Sequence, residues 1–427
     1  MQKSKLHSKV QSGFDPLQGL SKLSFLLAFF FLLAPCACGF AGEIVNRKSV
    51  TLPYVYTHWK HFTVADGLPN DHIFAVKADG QKVWVGTEDG LALIDKKTGK
   101  VKSWKEEDGL PWRVVTALEV NPKTGELWIG LFGGGLARFS GGRFDHWNQF
   151  NSGLVNDVVY GIAVENDNVW VATTAGASRL NTVTGEWTIF TEKNAPMEEI
   201  WNYGVSYDGR GKIYLAVWGS GCLEFDCKKE SWKVYLDPDG EMEIDLYRDD
   251  GLIHVIVTGV SPVSPAGGSE AENVLWISTY FGTCRYDGRH WRGFYADETG
   301  LPSDFVNNVK ARSADECYFA MDKGLGAVAD FPTDSVVTYT RDPNTLRGKA
   351  AVYQAGKLLR TVDMEKAVPH NFIISLDVDG NDLWVGTGKG LGWAIGEGYY
   401  PAVRENPGWL AAGEKTPRQN PKLKTQN

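Results

Sequence analysis

The chain has 427 residues, with 44 Lys and Arg against 52 Asp and Glu, which gives a formal net charge of −8 at pH 7. The sequence has no basic stripe that could neutralise phosphates, so a nucleic-acid partner is not expected. The 48 glycines and the aromatic content of 12% indicate many tight turns and bulky packing between sheets.

The first 41 residues have the pattern of an export signal. Lysines at positions 3, 5, 9 and 22 precede an apolar run over residues 23–33, and small residues flank a cleavage point before Gly42. Two alternatives remain: the run could extend to Phe40 as a short membrane anchor, or Cys36 could belong to a lipidation box, which Pro35 disfavours. The sequence predicts an exported protein, either periplasmic or extracellular.

Residues 57–397 contain seven copies of a short apolar strand with an aromatic residue at its second position. A turn and a second strand follow each copy, and successive aromatic residues are 44, 42, 44, 62, 42 and 66 residues apart. One propeller blade of four short strands needs about 40 to 50 residues. The period therefore predicts an all-β protein, a seven-bladed β-propeller of four-stranded antiparallel blades. The seven aromatic residues are Trp84, Trp128, Trp170, Tyr214, Trp276, Tyr318 and Trp384.

Four strands can be placed within one copy, and we expect them to be ordered outward from the central axis. In the second copy they cover residues 114–120, 127–131, 135–139 and 143–147. A glycine between the second and third strands is expected to supply the positive φ of a tight hairpin. These glycines are Gly90, Gly134, Gly176, Gly219, Gly282, Gly324 and Gly390.

The two ends of the repeat region predict how the ring closes. The seventh copy ends after its third strand, near residues 390–395, whereas residues 58–69 match the outermost strand and following loop of residues 103–111. We therefore predict that an N-terminal strand completes the last blade, which removes the open sheet edges that invite aggregation.

The two long intervals indicate insertions near residues 237–272 and 343–366. Residues 237–250 are acidic and residues 344–366 are basic, so two loops of opposite charge over the channel mouth would suit a lid or a docking surface. Residues 261–272 resemble a flexible linker on the opposite face. Residues 398–427 are polar and are expected to be disordered.

Four cysteines lie in the repeat region and are expected to remain free thiols. Cys222 and Cys227 are five residues apart on one strand, and Cys222 and Cys284 occupy equivalent positions of neighbouring blades. Both separations exceed the usual reach of a disulfide. We therefore expect small buried hydrophobes at Cys222, Cys227, Cys284 and Cys317.

Two stretches resemble the two-component regulator propeller repeat. Residues 84–115, and in part residues 383 onward, carry LW(I/V)GT-x-x-GL-x-x-x-D, then TG-x-(V/F)-x-x-(W/F), then GLP-x-x-x-V. The resemblance implies an extracytoplasmic ligand-sensing propeller, because that family usually forms the sensing regions of membrane histidine kinases. Since only some 40 residues follow Trp384, we expect a stand-alone propeller without a kinase domain.

The candidate ligand-binding residues lie in the loops that enter each first strand and in the turns between second and third strands. We expect both sets of loops on one face, around the channel mouth. The alternative for the polar residues is local turn chemistry, and for the aromatic ones packing beneath the insertions. The candidates are Asn70, Asp71, Trp112, Arg113, Asn156, Asp157, Glu199, Trp218, Tyr280, Phe281, Asp304 and His370, with Phe132 in an equivalent turn.

Catalytic signals are weak. The chain lacks a nucleophile elbow, a zinc-protease motif and a phosphate-binding loop, and the DVDGND run at Asp377 fits a strand hairpin better than a calcium loop. A metal at the channel mouth would need His72, His254 and His370 to approach one another. No catalytic residue, metal or cofactor is therefore predicted.

The sequence favours a binding protein. The predicted ligand is a glycan, a peptide or a protein held at the loop face, and the predicted role is a sensor or a scaffold, with a membrane sensor or an envelope protein as candidate partner. The alternative is a propeller lyase or hydrolase that acts on a polysaccharide or a small natural product through a His and carboxylate pair.

Overall fold

The computed structural model describes residues 52–238, 249–264 and 272–397. These residues form seven antiparallel sheets, and the innermost strands of the seven sheets contact one another in cyclic order, which closes the ring. The predicted seven-bladed propeller is confirmed. The predicted leader, the predicted tail and most of the acidic insertion lie outside the described residues.

The strands of blades 1 to 4 follow one another outward from the central channel. Strand β1 (Trp59–Phe62) comes first in the chain and belongs to the last blade. Blade 1 contains β2 (Ile73–Asp79), β3 (Lys82–Thr87), β4 (Gly90–Asp95) and β5 (Val101–Trp104). Blade 2 contains β6 (Val115–Val120), β7 (Leu127–Leu131), β8 (Gly135–Ser140) and β9 (Arg143–Trp147). Blade 3 contains β10 (Val159–Glu165), β11 (Asn168–Thr173), β12 (Gly176–Asn181) and β13 (Trp187–Phe190), and blade 4 contains β14 (Asn202–Tyr207), β15 (Lys212–Val217), β16 (Gly221–Asp226) and β17 (Ser231–Tyr235).

The remaining blades include one that is larger than the others. Blade 5 contains β18 (Val257–Val263), β19 (Val274–Thr279), β20 (Gly282–Tyr286) and β21 (Trp291–Phe294), and the one-turn helix α1 (Ala296–Thr299) follows it. Blade 6 contains β22 (Val306–Ser313), β23 (Glu316–Met321), β24 (Gly324–Asp330), β25 (Ser335–Arg341), β26 (Gly348–Gln354) and β27 (Lys357–Met364). Blade 7 contains β28 (Ile373–Asp379), β29 (Asp382–Thr387) and β30 (Gly390–Ala394), and short 3-10 turns cover Val64–Asp66, Glu106–Asp108 and Phe331–Thr333.

The second strand of each blade is buried because the blade is sandwiched between its two neighbours. Strand β7 is buried at every position, and the repeat aromatic residues Trp128 and Trp170 are at most 1% exposed. Arg138 and Arg179, from the neighbouring third strands, hold their guanidinium groups 5.7 and 5.4 Å from the centres of these two indole rings. The repeat aromatic residue is therefore a packing residue between blades, stabilised in these blades by a cation.

The predicted closure of the ring is confirmed. Strand β1 pairs antiparallel with β30, with Trp59 opposite Ala394 and Phe62 opposite Leu391. The last blade thus takes its fourth strand from the start of the repeat region and its other three from the end. Both ends of the propeller are tied by one ladder of backbone hydrogen bonds.

The segment that leads into β1 fills the seam between blades 6 and 7. Tyr56 is 1% exposed, its backbone N–H donates to the hydroxyl of Tyr339 over 3.0 Å, and its own hydroxyl donates to the backbone carbonyl of Asn381 over 2.7 Å. The ring of Trp59 packs against Tyr339 with centres 5.7 Å apart. The closure therefore depends on buried aromatic contacts as well as on strand pairing.

The turn glycines adopt positive φ as predicted, with one correction. Gly90 has φ 134° and Gly282 has φ 122°, whereas Gly134 is not in the left-handed region. In blade 2 the positive φ belongs to Gly133 (89°) and Gly135 (80°) instead. The GGG run allowed more than one assignment, and the longer turn of this blade selects its outer two glycines.

The basic insertion does not form a loop over the channel mouth, so that prediction is wrong. Residues 348–354 and 357–364 form β26 and β27, which extend blade 6 outward, with β26 paired to β25 along its length. Ala350 and Val352 are completely buried and Tyr353 packs against Gly300, which explains why the hairpin joins the sheet. The first insertion range contains the regular strand β18, with extra chain on both of its sides.

Two further features concern the cysteines and the helices of the propeller. The four cysteines of the propeller are free, as predicted, and Cys222, Cys284 and Cys317 are buried, but Cys227 is only half-buried. Within the described ranges, no helix is both long and apolar enough to span a membrane.

Candidate functional site

One face of the propeller carries both sets of loops named above, and we call it the loop face. In blade 1 the turn after β3 donates from Glu88 N–H to the carbonyl of His72, which lies in the loop before β2 of the same blade (3.1 Å). Gly90 N–H then donates to the carbonyl of Arg113, which lies in the corresponding loop of blade 2 (2.8 Å). These bonds place the turns beside the loops and join neighbouring blades.

The polar candidates at the ends of the loops cap their own turns. The side-chain oxygen of Asn70 accepts from the N–H of His72 over 2.7 Å, and that of Asn156 accepts from Val158 over 2.8 Å. In blade 7, His370 caps its turn in the same way, since its Nδ1 accepts a hydrogen bond from the N–H of Phe372 over 3.1 Å. Turn chemistry thus accounts for one contact of each of these side chains.

In blades 1, 3 and 6, the next position in the loop holds an aspartate. Its carboxylate accepts a hydrogen bond from a backbone N–H earlier in the same loop. Asp71 accepts from the N–H of Val64 over 2.7 Å, and Asp157 and Asp304 make the same bond to Gln149 (2.8 Å) and Ala296 (2.7 Å). Burial raises the pKa of the Asp304 carboxyl although the bond from Ala296 opposes that shift. These carboxylates therefore fix the shape of the loop face, and any ligand contact would come in addition.

The remaining candidates, two charged and two aromatic residues, are spread over several blades of the loop face. Arg113 and Glu199 are exposed in different blades, and Trp112 is 40% exposed and lies against Gly134. Phe281 stacks on the buried imidazole of His254, with ring centres 4.1 Å apart. These candidates lie on the predicted face, but no ring contact among the described residues connects them with Trp218 and Tyr280.

Seven aromatic rings form a continuous surface on the loop face, which we call the aromatic patch. Tyr203 lies at its centre, with ring centres 5.6 Å from Tyr160, 5.9 Å from Trp218 and 5.8 Å from Tyr280. Tyr280 also stacks flat on Phe305 at 4.1 Å. The patch thus crosses blades 2 to 6, and its members are Phe132, Tyr160, Trp201, Tyr203, Trp218, Tyr280 and Phe305.

The patch is accessible and electrically neutral. Phe132, Trp201 and Phe305 are 45%, 38% and 36% exposed. Burial, followed by the neighbouring tyrosines, raises the pKa of the Tyr160 and Tyr203 hydroxyls, and no charged side chain contributes to either shift. The hydroxyls of Tyr160 and Tyr203 therefore stay protonated at physiological pH.

Four members of the patch were not found from the sequence, although a signal existed for two of them. The first strand of every blade skips one residue in its pairing with the second strand, and Tyr160 and Tyr203 occupy that bulge in blades 3 and 4. A bulge turns a side chain toward the channel mouth, so an aromatic residue there indicates a surface ring. The bulge residues are Phe74, Thr116, Tyr160, Tyr203, Thr258, Asn307 and Ile374.

Below the patch runs a central channel with a volume of about 810 Å³. In each blade, the residue of the first strand that pairs with the repeat aromatic residue belongs to a ring around this channel. The charges of the ring alternate in sign across blades 6, 7, 1 and 2. The ammonium of Lys77 lies 2.7 Å from the carboxylate of Glu119, and that of Lys310 lies 3.8 Å from Asp377. The full ring consists of Lys77, Glu119, Ala163, Ser206, Ser261, Lys310 and Asp377.

This charged ring joins the blades on either side of the closure. Asp377 also accepts from the backbone N–H of Ala78 over 2.9 Å, which links blade 7 to blade 1. Burial lowers the pKa of Lys77, but the carboxylates of Glu119 and Asp377 outweigh that effect and the pKa is raised overall. The ion pair therefore stabilises the fold at and below the unfolded-state lysine pKa of about 10.4, and this stabilisation is lost as the pH rises through the higher folded-state pKa.

We expect Lys77→Met to lower the free energy of unfolding at pH 7 by about 2 kcal/mol, because it leaves the Glu119 carboxylate in the channel without its nearest cation. Urea denaturation at pH 7 and at pH 11 measures the effect, and the difference from wild type should shrink at the higher pH. The double variant Lys77→Met/Glu119→Met serves as the control and should recover most of the loss. An equal loss in the single and double variants would contradict this role for the ion pair.

The histidines of the loop face belong to different blades and are held separately. His72 stacks on Phe74 at 4.5 Å, and its Nδ1 lies 3.5 Å from the carboxylate of Glu88. Both side chains of this pair are more than a third exposed, and they lie outside the aromatic patch. Over the part of the chain that the structure describes, no three His, Cys, Asp or Glu side chains form a metal-binding group.

The fold and the loop face together define a seven-bladed propeller with an aromatic surface over its channel mouth. No protein-family model matches the sequence, and no curated protein sequence matches it. The extracellular domain of BT3049 from B. thetaiotaomicron, described as a hybrid two-component system, is similar in structure, with a TM-score of 0.57 and 16% identity over 79% of this chain and 42% of that one. The chain thus spans less than half of that relative.

Other solved propellers are similar to a comparable degree. Virginiamycin B lyase from Staphylococcus aureus has a TM-score of 0.53 and 11% identity over 79% of this chain and 98% of that one. The WD40 repeats of RRP9 have a TM-score of 0.54 and 11% identity over 80% of this chain and 98% of that one. At such identities the similarities show the fold alone, and propellers of this fold serve unrelated functions.

Proposed function

We propose that this chain is an exported binding propeller, a sensor or scaffold module that holds its ligand on the aromatic patch of the loop face. The observation that carries the proposal is the patch itself, in which seven rings from five blades form one neutral surface beside the channel mouth. Exposed aromatic surfaces of this extent mark binding sites, because leaving them in water is unfavourable.

Three further observations support the proposal. The sequence begins with an export-signal pattern, and the extracellular domain of a protein described as a two-component system is among the similar structures. The rim of the loop face is also held in place, since the loop carboxylates close their own loops and the turn glycines donate to the loops of the next blade. A preformed surface loses less entropy when a ligand binds.

The ligand expected for a neutral aromatic surface is itself largely uncharged. Rings with protonated hydroxyls offer flat apolar contact and neutral hydrogen-bond partners, such as the hydroxyl that Tyr280 donates to Tyr203 over 3.3 Å. A glycan or an uncharged peptide segment satisfies both features.

A thermal-shift screen of the chain from Gly42 onward, against glycans, peptides and divalent metals, tests the proposal. A ligand that binds only the native state raises Tm, and about 100 Kd of ligand adds about 2.7 kcal/mol of stability. We expect the shift to be lost in Trp218→Ala and in Tyr280→Ala, because each removes a ring from the centre of the patch.

The matched control is Phe150→Ala, which removes an aromatic side chain that is 96% exposed and lies outside the patch. This variant should retain the full shift. A ligand whose shift survives in both patch variants binds elsewhere, and that result would overturn the assignment of the site.

A further inference from the structure

The outer hairpin of blade 6 leaves one strand edge open. Strand β27 is the outermost strand of its sheet, and no strand in the described ranges pairs with its outer edge. Its residues from Lys357 to Thr361 are exposed on both faces of the strand, including Leu358 at 55% and Leu359 at 45%. An open edge with adjacent exposed leucines is a template for pairing with another chain.

Five cations lie on this hairpin and the residues beside it, two of them on β27 itself, and none of them forms an ion pair with the described residues. The same stretch contributes only two carboxylates, Asp363 and Glu365, although the whole chain has a net charge of −8. A concentration of unpaired positive charge on one hairpin of an acidic protein provides an attractive field for an acidic partner. The cations are Arg347, Lys349, Lys357, Arg360 and Lys366, all of them exposed.

The hairpin is held firmly in place, so its edge is preformed. The backbone N–H of Ala355 at the tip donates to the carbonyl of Asp334 over 3.0 Å. Gly356 lies so close to the carbonyl oxygen of Glu298, in the helix α1 that connects blades 5 and 6, that a Cβ atom there would be 2.2 Å from it. The hairpin therefore rests on this connection, and binding at its edge would not require it to fold first.

We propose that the outer edge of β27 binds an extended acidic segment of a partner protein, which adds to blade 6 as a seventh strand. Backbone hydrogen bonds along the edge supply affinity that is independent of sequence. The pairing of β27 with β26 skips Leu359, so Lys357 and Arg360 lie on the same face of the sheet, where they select acidic side chains. Leu358 lies on the other face and contacts the apolar residues that alternate with the acidic ones. The surface is separate from the aromatic patch and does not depend on the function proposed for it.

A labelled ten-residue peptide of alternating Glu and Val is the probe, and its binding to the full chain is measured by fluorescence anisotropy. We expect saturable binding that weakens with salt, because the ion pairs form at an exposed edge. The double variant Lys357→Glu/Arg360→Glu should weaken binding by about tenfold or more. Hydrogen exchange of the backbone amides of residues 357–364 should slow when the peptide is bound.

Two controls separate strand addition from simple charge attraction. Lys97→Glu/Lys100→Glu makes the same charge change at exposed positions of blade 1 and should leave binding unchanged. A peptide with proline in place of valine keeps the charge but cannot extend the ladder, so it should bind at least about tenfold more weakly. Equal binding of the two peptides, an equal loss in the blade 1 variant, or no binding at all would overturn the proposal.

Discussion

Replacement of Tyr56 by alanine is expected to lower the free energy of unfolding by about 3 to 5 kcal/mol. The ring is 1% exposed and fills the seam between blades 6 and 7, so its removal leaves a cavity at the closure of the propeller. The variant also loses the hydrogen bond from the Tyr56 hydroxyl to the carbonyl of Asn381. Urea denaturation followed by tryptophan fluorescence measures the change.

The matched control is His58→Ala, two residues further along the same segment. The His58 side chain is exposed, and the backbone contact of this residue, an N–H from Ile395 to its carbonyl over 2.9 Å, does not need the side chain. We expect this variant to stay within about 0.5 kcal/mol of wild type. Similar losses in both variants would show that the segment as a whole, rather than the buried ring, stabilises the closure.

The second large effect is expected for Arg312→Met, which should lower the free energy of unfolding by about 3 kcal/mol. The guanidinium of Arg312 donates to the carboxylate of Glu316 over 2.5 Å and to the hydroxyls of Tyr318 and Tyr56, each over 2.6 Å. Arg312 and Glu316 are both only 11% exposed. The methionine keeps the volume but removes the cation that links blade 6 to the N-terminal segment.

Two comparisons make this prediction specific. Lys310→Met, two residues away on β22, removes a cation that is 39% exposed and 3.8 Å from Asp377, so the expected loss is below about 1 kcal/mol. Arg312→Lys keeps the charge but not the planar fork, and it should fall between wild type and Arg312→Met. The three variants are compared by thermal and urea denaturation, and equal losses for Lys310→Met and Arg312→Met would refute the proposed role of the buried network.

The candidate site was recovered only in part from the sequence. The turns that hold Phe132, Trp218 and Tyr280 could be placed because the repeat fixes their position relative to the buried aromatic residue. Trp201 and Phe305 were missed because the loop position that they share, directly before the first strand, holds His72, Val114 and Val158 in other blades, so the repeat does not predict an aromatic residue there. Their membership in the patch follows from contacts between blades, such as the stacking of Phe305 on Tyr280.

For the polar candidates, the sequence could not distinguish ligand contacts from contacts within the loop. Asn70, Asp71 and Asp157 occur at matching loop positions, and that regularity is equally expected of ligand contacts and of loop closure. Their bonds to backbone N–H groups a few residues away show that each has a structural part within its own loop. Polar residues that recur at the same loop position are explained by the repeated loop structure, so their recurrence does not by itself indicate a ligand.

The sequence by itself determined the number of blades, the order of the four repeat strands within each blade and the closing strand, because all three follow from a repeat with one fragment displaced to the other end. Only the tertiary structure decided that the basic insertion joins blade 6 as β26 and β27, since its strand-forming residues also fit an exposed loop. It likewise decided that seven rings form one surface, because neighbouring blades bring together residues as far apart in the chain as Phe132 and Phe305. Local patterns specify local structure, whereas a surface shared by five blades exists only once the ring has closed.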